Sequence, residues 1–541
     1  MEHKMKSILL SGNEAIARGA YEAGVAVGTG YPGTPSTEIL ENLTRYPGVY
    51  TEWSVNEKVG LEVGIGASLA GARTLVTMKH VGLNVAADPL FTASYIGVSG
   101  GLVIVNADDP DMHSSQNEQD NRHYARAAKL PMLEPSDSQE ALYFTKLGLE
   151  LSEKYDTPVI LRTTTRISHS KSVAMPDTET AASPEKQAAR AGKPAGFVRN
   201  FKKYVMIPAY ARERHKVVEA RMQKLSSDAD GLEINRMELR DTDFGIITSG
   251  INYMYSREAF PQASILKLGM IWPLPHKMIE EFSRKVKRVF VVEELDPFLE
   301  TEFSSRGIVV TGKKIFPVTG EYSPDLVKQA ISKETGKPAD MAQSFTSRVA
   351  LPPRPPALCP GCPHRTVFKI LNEMGLTVTG DIGCYTLGVM PPWSAMDTCV
   401  EMGGSLGLAQ GIEIAGGEEA AKKTVAVIGD STFAHSGISN LVNAAYNKRR
   451  NLFIVLDNNT TAMTGMQPNP FSGERINLCQ TISVDYRALG TAVGMKDDQV
   501  KIVDAYKPKD VEDALREMLA RDELTLLVIK GPCVIWKRKR K

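Results

Sequence analysis

The sequence predicts an α/β protein built on parallel sheets. Two observations carry that expectation. Short apolar runs of strand length alternate with helix-patterned stretches along most of the 541 residues. Two of those runs, KTVAVIGD and NLFIVLDNN, bracket an amphipathic stretch and so form one βαβ unit. At roughly 150 residues per domain, the length suggests about three or four domains.

In chain order, the first segment carries strand-like runs VAVGTG (25–30), RTLVTM (73–78), GLVIVNA (101–107) and TPVILRT (157–163). Helical patterns such as EKVGLEVGIGASLAGA (57–72) separate them, which outlines a parallel α/β domain over 1–166. Residues 167–240 are rich in Ala, Lys, Glu and Arg and read as a helical linker. A second α/β segment follows over 241–346, with FGIITSG, SILKLG and RVFVVEE as its strands. The prolines of SRVALPPRPPAL (347–358) cannot continue a helix and mark a linker. A third α/β domain spans 357–541.

Bulk properties exclude several classes. Net charge is +1, with 42% hydrophobic and 23% charged residues, so no global field points to nucleic acid. No apolar run reaches the ~18 residues of a membrane span. MEHKMKSILLSG carries no signal-peptide pattern, which places the chain in the cytoplasm, where structural disulfides are rare. All six cysteines fall at 359 or later, a clustering that favours a local metal or cluster site. Two motifs mislead. GTGYPG (28–33) fits a dinucleotide fingerprint, but Pro32 and Pro35 make it an extended turn. GGSLG (403–407) fits a nucleophile elbow but lacks the buried strand before it.

The βαβ unit carries the sharpest chemical signal. One strand ends in Gly429-Asp430 and the other in Asp457-Asn458-Asn459, with Ile438, Leu441, Val442 and Ala445 at helical spacing between. A right-handed crossover brings both strand ends to one sheet edge, where α/β proteins bind ligands. Asp430 and Asn458 there suit Mg²⁺, which takes few protein oxygens plus substrate phosphates. Each turn alone is commonplace.

This string resembles the thiamine diphosphate motif, "GDG", a spacer, then "NN", with Ser431 in place of the third glycine. The resemblance implies Asp430, the Asn458 side chain and the Thr460 carbonyl as Mg²⁺ ligands gripping the diphosphate. Gly429, Ser431, Gly383 of GDIGCYTLG and Gly404 and Ser405 of MGGSLGLAQG would complete the cradle. Thiamine chemistry also needs a buried glutamate that opens a helix after a strand. Glu57, after the run 49–55, fits, although an acid in a first turn is also favoured simply by the helix dipole.

TGYPGTPSTEIL (29–40) resembles the "YP-x-TPSS" segment of 2-oxoacid:ferredoxin oxidoreductases, which implies that Thr34 faces the substrate. The string from LLSGNEAIARGA through TMKHVGLNVAADPL to LCPGCPHR and LDNNTTAMTG is similar to the alpha subunit of the indolepyruvate type. The family implies a pyrimidine-binding domain over 1–166, a transketolase-C-terminal-like domain over 241–346 and a diphosphate-binding domain over 357–541. It implies oxidative decarboxylation of an aryl pyruvate to its acyl-CoA, using thiamine diphosphate, Mg²⁺ and a [4Fe–4S] cluster. It also implies a smaller beta subunit, a ferredoxin-like acceptor and an alpha dimer within a heteromer.

Cys359 and Cys362 alone could form a redox disulfide, half a zinc site or a corner of a cluster. The family implies the cluster, with Cys384 and Cys533 as the other ligands, and leaves Cys399 and Cys479 as core thiols. Zinc at the four cysteines, with a non-redox thiamine lyase or decarboxylase, is the alternative. The family's C-terminal ferredoxin run, C-x₂-C-x₂-C-x₃-C-P, does not occur before the basic end WKRKRK (536–541). The electron acceptor is then expected to be a separate partner, and the basic tail is either solvated or docks an acidic carrier.

Overall fold

The computed structural model describes residues 7–177, 196–336, 352 and 354–540. Residues 178–195 of the expected helical linker, and 347–351 and 353 of the proline linker, lie outside the described residues. Two compact units make up the chain, Met1–Thr346 and Ser347–Lys541.

In chain order the strands of the first unit are β1 (Ile8–Ser11), β2 (Val27–Gly30), β3 (Tyr50–Trp53), β4 (Thr74–Lys79), β5 (Leu102–Asp108), β6 (Met132–Leu133), β7 (Val159–Thr164), β8 (Lys171–Ala174), β9 (Arg236–Glu238), β10 (Asp241–Ser249), β11 (Ala263–Leu268), β12 (Met270–Trp272) and β13 (Val289–Val292). Seven of them form a sheet in the order β12-β6-β7-β5-β4-β2-β3. All its pairings are parallel except β12 with β6. Strand order reverses between β2 and β4. The chain leaves β2 for β3 on one side, then returns past β2 to β4 and β5 on the other. Such a reversal opens a crevice at the strands' carboxyl ends, the usual ligand position in this class.

A second sheet, β13-β10-β11-β9, belongs to the same unit, and β12 from that segment completes the edge of the first sheet. One apolar core serves both sheets: Val76, Met78 and Ile104 of the first pack in the same cluster as Ile247, Leu266 and Val291 of the second. Within 167–240, the long helix Pro208–Ala229 opens with proline at its first position, where the missing N–H costs nothing. Among the described residues, no helix is long and apolar enough to cross a membrane.

The second unit holds β14 (Thr377–Gly380), β15 (Thr398–Cys399), β16 (Thr424–Gly429), β17 (Leu452–Asp457), β18 (Val500–Asp504) and β19 (Thr525–Lys530). They form one parallel sheet, ordered β15-β14-β16-β17-β19-β18. Both faces are covered. Val425, Val427 and Ile454 face a core built on Phe368 and Leu371, while Ala426, Ile428 and Phe453 face Leu406 and Phe433. Burial on both sides is why these strands read as continuous apolar runs rather than alternating ones. Order reverses between β14 and β16, so the second crevice lies at Gly380-Asp381 and Gly429-Asp430.

Candidate active site

In the second unit, Gly429 pairs with Leu456 across adjacent parallel strands, so Asp430 and Asp457 leave the sheet side by side. Asp430 is 2% exposed. Burial, then the charge of Asp457, push its carboxyl up to about 8. Asn469 Nδ2 donates to it at 3.0 Å. A buried carboxyl facing a second carboxyl is a poor place for a lone anion and a good one for a divalent cation. From Asp430 the chain runs through a single helical turn and a π-helical turn, Phe433–Gly437, into the helix Ile438–Tyr446. That helix buries Leu441 and Ala444 but exposes Val442, so its inward face is narrower than the spacing in the sequence suggests.

Asn458 follows β17, and its Oδ1 accepts the Thr460 amide at 3.1 Å. Its Nδ2 lies 3.4 Å from His364 Nε2, and burial takes that imidazole down to about 4. Thr460 is buried, and its hydroxyl donates to the Gln467 carbonyl at 3.1 Å. Ser431 Oγ accepts from Thr461 Oγ1 at 2.8 Å.

The glycine segments GDIGC and GGSLG meet at Asp381, and Tyr385 lies beside it. Its ring is buried, and a Cβ on Gly383 or Gly429 would lie 2.3 Å or 2.7 Å from it. The space these glycines leave is therefore filled by an aromatic wall. Gly383 is extended, and Gly403, not Gly404, has the left-handed conformation, with φ +91°. The Tyr385 hydroxyl donates to Asp381, and Ser405 Oγ donates to the same carboxyl at 2.7 Å. Burial raises Asp381 to about 7.

The four cysteines expected to act together, Cys359, Cys362, Cys384 and Cys533, are half-buried. Burial raises Cys362 to about 11, with Cys359 and Cys533 adding to it. Burial raises Cys384 to about 12, with Cys362, Cys533 and Cys359 adding to it. Cys362 and Cys384 thus feel the charge of the sulfurs around them, and thiolates there need a cationic core to hold them, as an iron–sulfur group or zinc supplies. The Cys533 amide donates to the Asn458 carbonyl at 3.0 Å, so the cysteine set and the Asn458 turn share a backbone. Cys399 and Cys479 are exposed. They are not core thiols, because Cys399 sits on the edge strand β15 and Cys479 lies in a loop between β17 and β18.

In the first unit, Glu57 opens the helix Glu57–Leu69 after β3 and is 5% exposed. Asn56 caps that helix by accepting the Val59 amide at 2.9 Å. Gly82 makes room for the Glu57 side chain: a Cβ there would lie 2.5 Å from Glu57 Oε1. Thr34 lies on the turn after β2, and its carbonyl accepts from Ser114 Oγ at 3.5 Å. Glu57 and Thr34 thus flank the first crevice.

Comparisons with known proteins bear on both units. Residues 18–233 match the family model described as "Pyruvate flavodoxin/ferredoxin oxidoreductase, thiamine diP-bdg". Residues 381–529 match "Thiamine pyrophosphate enzyme, C-terminal TPP binding domain". The indolepyruvate oxidoreductase subunit IorA of Archaeoglobus fulgidus is 42% identical over 99% of this chain and 88% of its own. The chain belongs to the indolepyruvate oxidoreductase IorA family.

The IorA of Pyrococcus horikoshii is 39% identical over 98% of this chain and 86% of its own. A solved 2-oxoglutarate:ferredoxin oxidoreductase from Magnetococcus marinus shares the fold, with TM-score 0.51 and 19% identity over 61% of this chain and 65% of its own. IorA membership makes this a thiamine diphosphate-dependent 2-oxoacid oxidoreductase chain with both cofactor-binding domains. Sequence reasoning missed several residues of the site in this IorA chain: His364, Asn469, Asp381 and Lys79. His364 was within reach, two positions after Cys362. Asp381 and Lys79 lie inside GDIGCYTLG and TMKHVGLNVAADPL without standing out there, and Asn469 lies in a loop that no motif covers.

Proposed function

We propose that this chain is the thiamine diphosphate-binding alpha subunit of a cytoplasmic enzyme that oxidatively decarboxylates an aryl 2-oxoacid, such as the indolepyruvate of its relatives' name. One 2-oxoacid and one coenzyme A give acyl-CoA, CO₂ and a proton, and two electrons leave one at a time to a ferredoxin-like acceptor. Thiamine diphosphate supplies the reactive carbon that makes loss of CO₂ feasible, and a [4Fe–4S] cluster supplies a one-electron store. Asp430, the Asn458 side chain and the Thr460 carbonyl hold Mg²⁺. Gly383, Gly404, Ser405, Gly429 and Ser431 line the cradle. Glu57 holds the proton that switches the cofactor's aminopyrimidine, and Thr34 orients the substrate. Cys359, Cys362, Cys384 and Cys533 hold the cluster. A smaller beta subunit and a second alpha chain complete the assembly.

The observation that supports this reading best is the bond from the Cys533 amide to the Asn458 carbonyl. It joins the Cys533 segment to the Asn458 turn, which supports a one-electron store beside the cofactor. The test is metal and cofactor analysis of anaerobically purified protein. About four irons per chain, with thiamine diphosphate retained, is expected for a [4Fe–4S] centre. Stoichiometric zinc in place of iron overturns the redox reading.

A further inference from the structure

Lys79 ends β4, between the ends of β2 and β5, on the crevice where strand order reverses. Its side chain is buried, with the residue 7% exposed. Other buried cations of this unit touch carboxylates: Lys267 meets Glu140 at 2.5 Å, Arg162 meets Asp108 at 2.7 Å and Arg122 meets Asp120 at 2.5 Å. Arg221 instead spans the Ser94 and Asp156 carbonyls, which places it off the crevice. Among the described residues, no carboxylate lies within 4.0 Å of Lys79 Nζ. The ammonium donates to the Ser114 carbonyl at 2.6 Å and approaches Ser114 Oγ at 3.4 Å. An ammonium has three donors, so one is left for an anion.

The surroundings hold this cation at the substrate turn. A Cβ on Gly33 would lie 2.9 Å from Lys79 Cβ, so the lysine stem runs against the turn that carries Thr34. Ser114 links the two, since its Oγ also donates to the Thr34 carbonyl. Asp109 pins Ser114 in place by accepting its amide at 2.9 Å, and accepts Ser115 Oγ and Thr165 Oγ1, each at 2.6 Å. Its carboxylate holds these partners and reaches Lys79 only through space. A buried charge without a direct counterion is costly, and a bound anion would relieve that cost.

We propose that Lys79 receives the carboxylate of the 2-oxoacid, in a subsite formed with Ser114 beside Thr34. This rests on the reading of the Thr34 crevice as the substrate end. The residue sets charge selection: the subsite accepts an acid and rejects its neutral ester.

The probes are unreactive 2-hydroxy acids (lactate, phenyllactate and indolelactate), each paired with its methyl ester. Binding to the assembled enzyme is measured by calorimetry without coenzyme A. The wild type is expected to bind at least one acid tenfold or more tighter than its ester. Lys79→Met, checked by thermal melting, is expected to lose that preference, and Lys79→Arg to keep it. A folded Lys79→Met that still prefers the acid tenfold overturns the proposal.

Should Lys79→Met not fold, the wild type decides by pH. Burial lowers Lys79 to about 8, partly offset by Asp109. The other groups around it are steady above pH 7. Asp109 sits below the ordinary carboxylate range, and burial with the Lys79 charge takes His80 down to about 4. His169, raised by its pairing with Glu38, is carried equally by wild type and Lys79→Arg. Between pH 7 and 10 the wild-type preference is expected to collapse, while Lys79→Arg holds it. Persistence at pH 10 in the wild type overturns the proposal. A wild type that binds none of the acids overturns the substrate-end reading itself. Glu57→Gln distinguishes the two, since it is expected to bind the acids normally while turnover is lost.

Discussion

Glu57 shows what one residue's surroundings can be asked to do. It starts a helix whose amides are capped by Asn56, so it is not needed as a cap, and it is buried where a purely dipolar acid would stay in water. Glu57→Gln is therefore expected to retain thiamine diphosphate yet lose turnover by about 10²–10⁴, the usual worth of a general acid–base step. Calorimetry and steady-state rates check both halves, and near-normal turnover would leave Glu57 a structural residue. Asp381 makes a different prediction. Its carboxyl is buried and raised to about 7, so it keeps its proton in the fold at pH values where the unfolded chain has lost it. Stability from this group is full below about pH 4 and drains away as pH rises through 7. Cofactor-free Asp381→Asn is expected to melt with a flatter pH dependence over that range than the wild type.

At the scale of elements, two short segments transmit geometry. The helix His80–Val85 touches Glu57 through the bare face of Gly82. Gly82→Ala should raise helix propensity by about 1 kcal/mol while driving a methyl into the Glu57 carboxylate. A fall in turnover of tenfold or more, with a melting temperature unchanged or higher, is the expected pattern. A loss of stability in step with activity would mean the glycine serves packing alone. The other segment is the turn after Gly380. Tyr385 fills the gap left by Gly383 and Gly429, and its hydroxyl shares Asp381 with Ser405. The segment that carries Cys384 and the segment that opens the Ser405 helix are thus joined through one carboxyl.

At the scale of the whole molecule, the largest sheet of each unit carries a crevice at a reversal of strand order. The residues proposed for the diphosphate and the cluster all fall in the second unit, and those proposed for activation and substrate in the first. Within the second unit the donor sets are separate: oxygens on the Asp430 and Asn458 turns, sulfurs on three segments around Cys533. Cys533→Ala is expected to lose iron and oxidation while still binding thiamine diphosphate, whereas Cys479→Ala, exposed in its loop, does neither. Iron assay and calorimetry read this out. Chelation of Mg²⁺ is expected to release thiamine diphosphate and leave iron in place, and loss of both together would contradict separate sites.

The sequence by itself determined the α/β class, because strands buried on both faces must be apolar throughout, and β16 and β17 announce themselves that way. It also singled out Asp430, Asn458 and the cysteine pair as candidates, since their spacing within one βαβ unit or one turn is a local property. Tertiary structure alone decided the rest. Lys79 ends one ordinary strand and Asp109 follows another, and only the placement of β4 beside β2 brings a buried ammonium to the Thr34 turn. Tyr385 looked like one more residue in a glycine segment until two glycines from different elements were found to vacate its space. Cys399 and Cys479 read as core thiols, and the edge position of β15 and a surface loop put them outside. The segments 1–166 and 241–346 read as separate α/β patterns, while β12 and a shared apolar core join their described parts. Which faces meet depends on side-chain contacts between distant segments, and no local pattern records those.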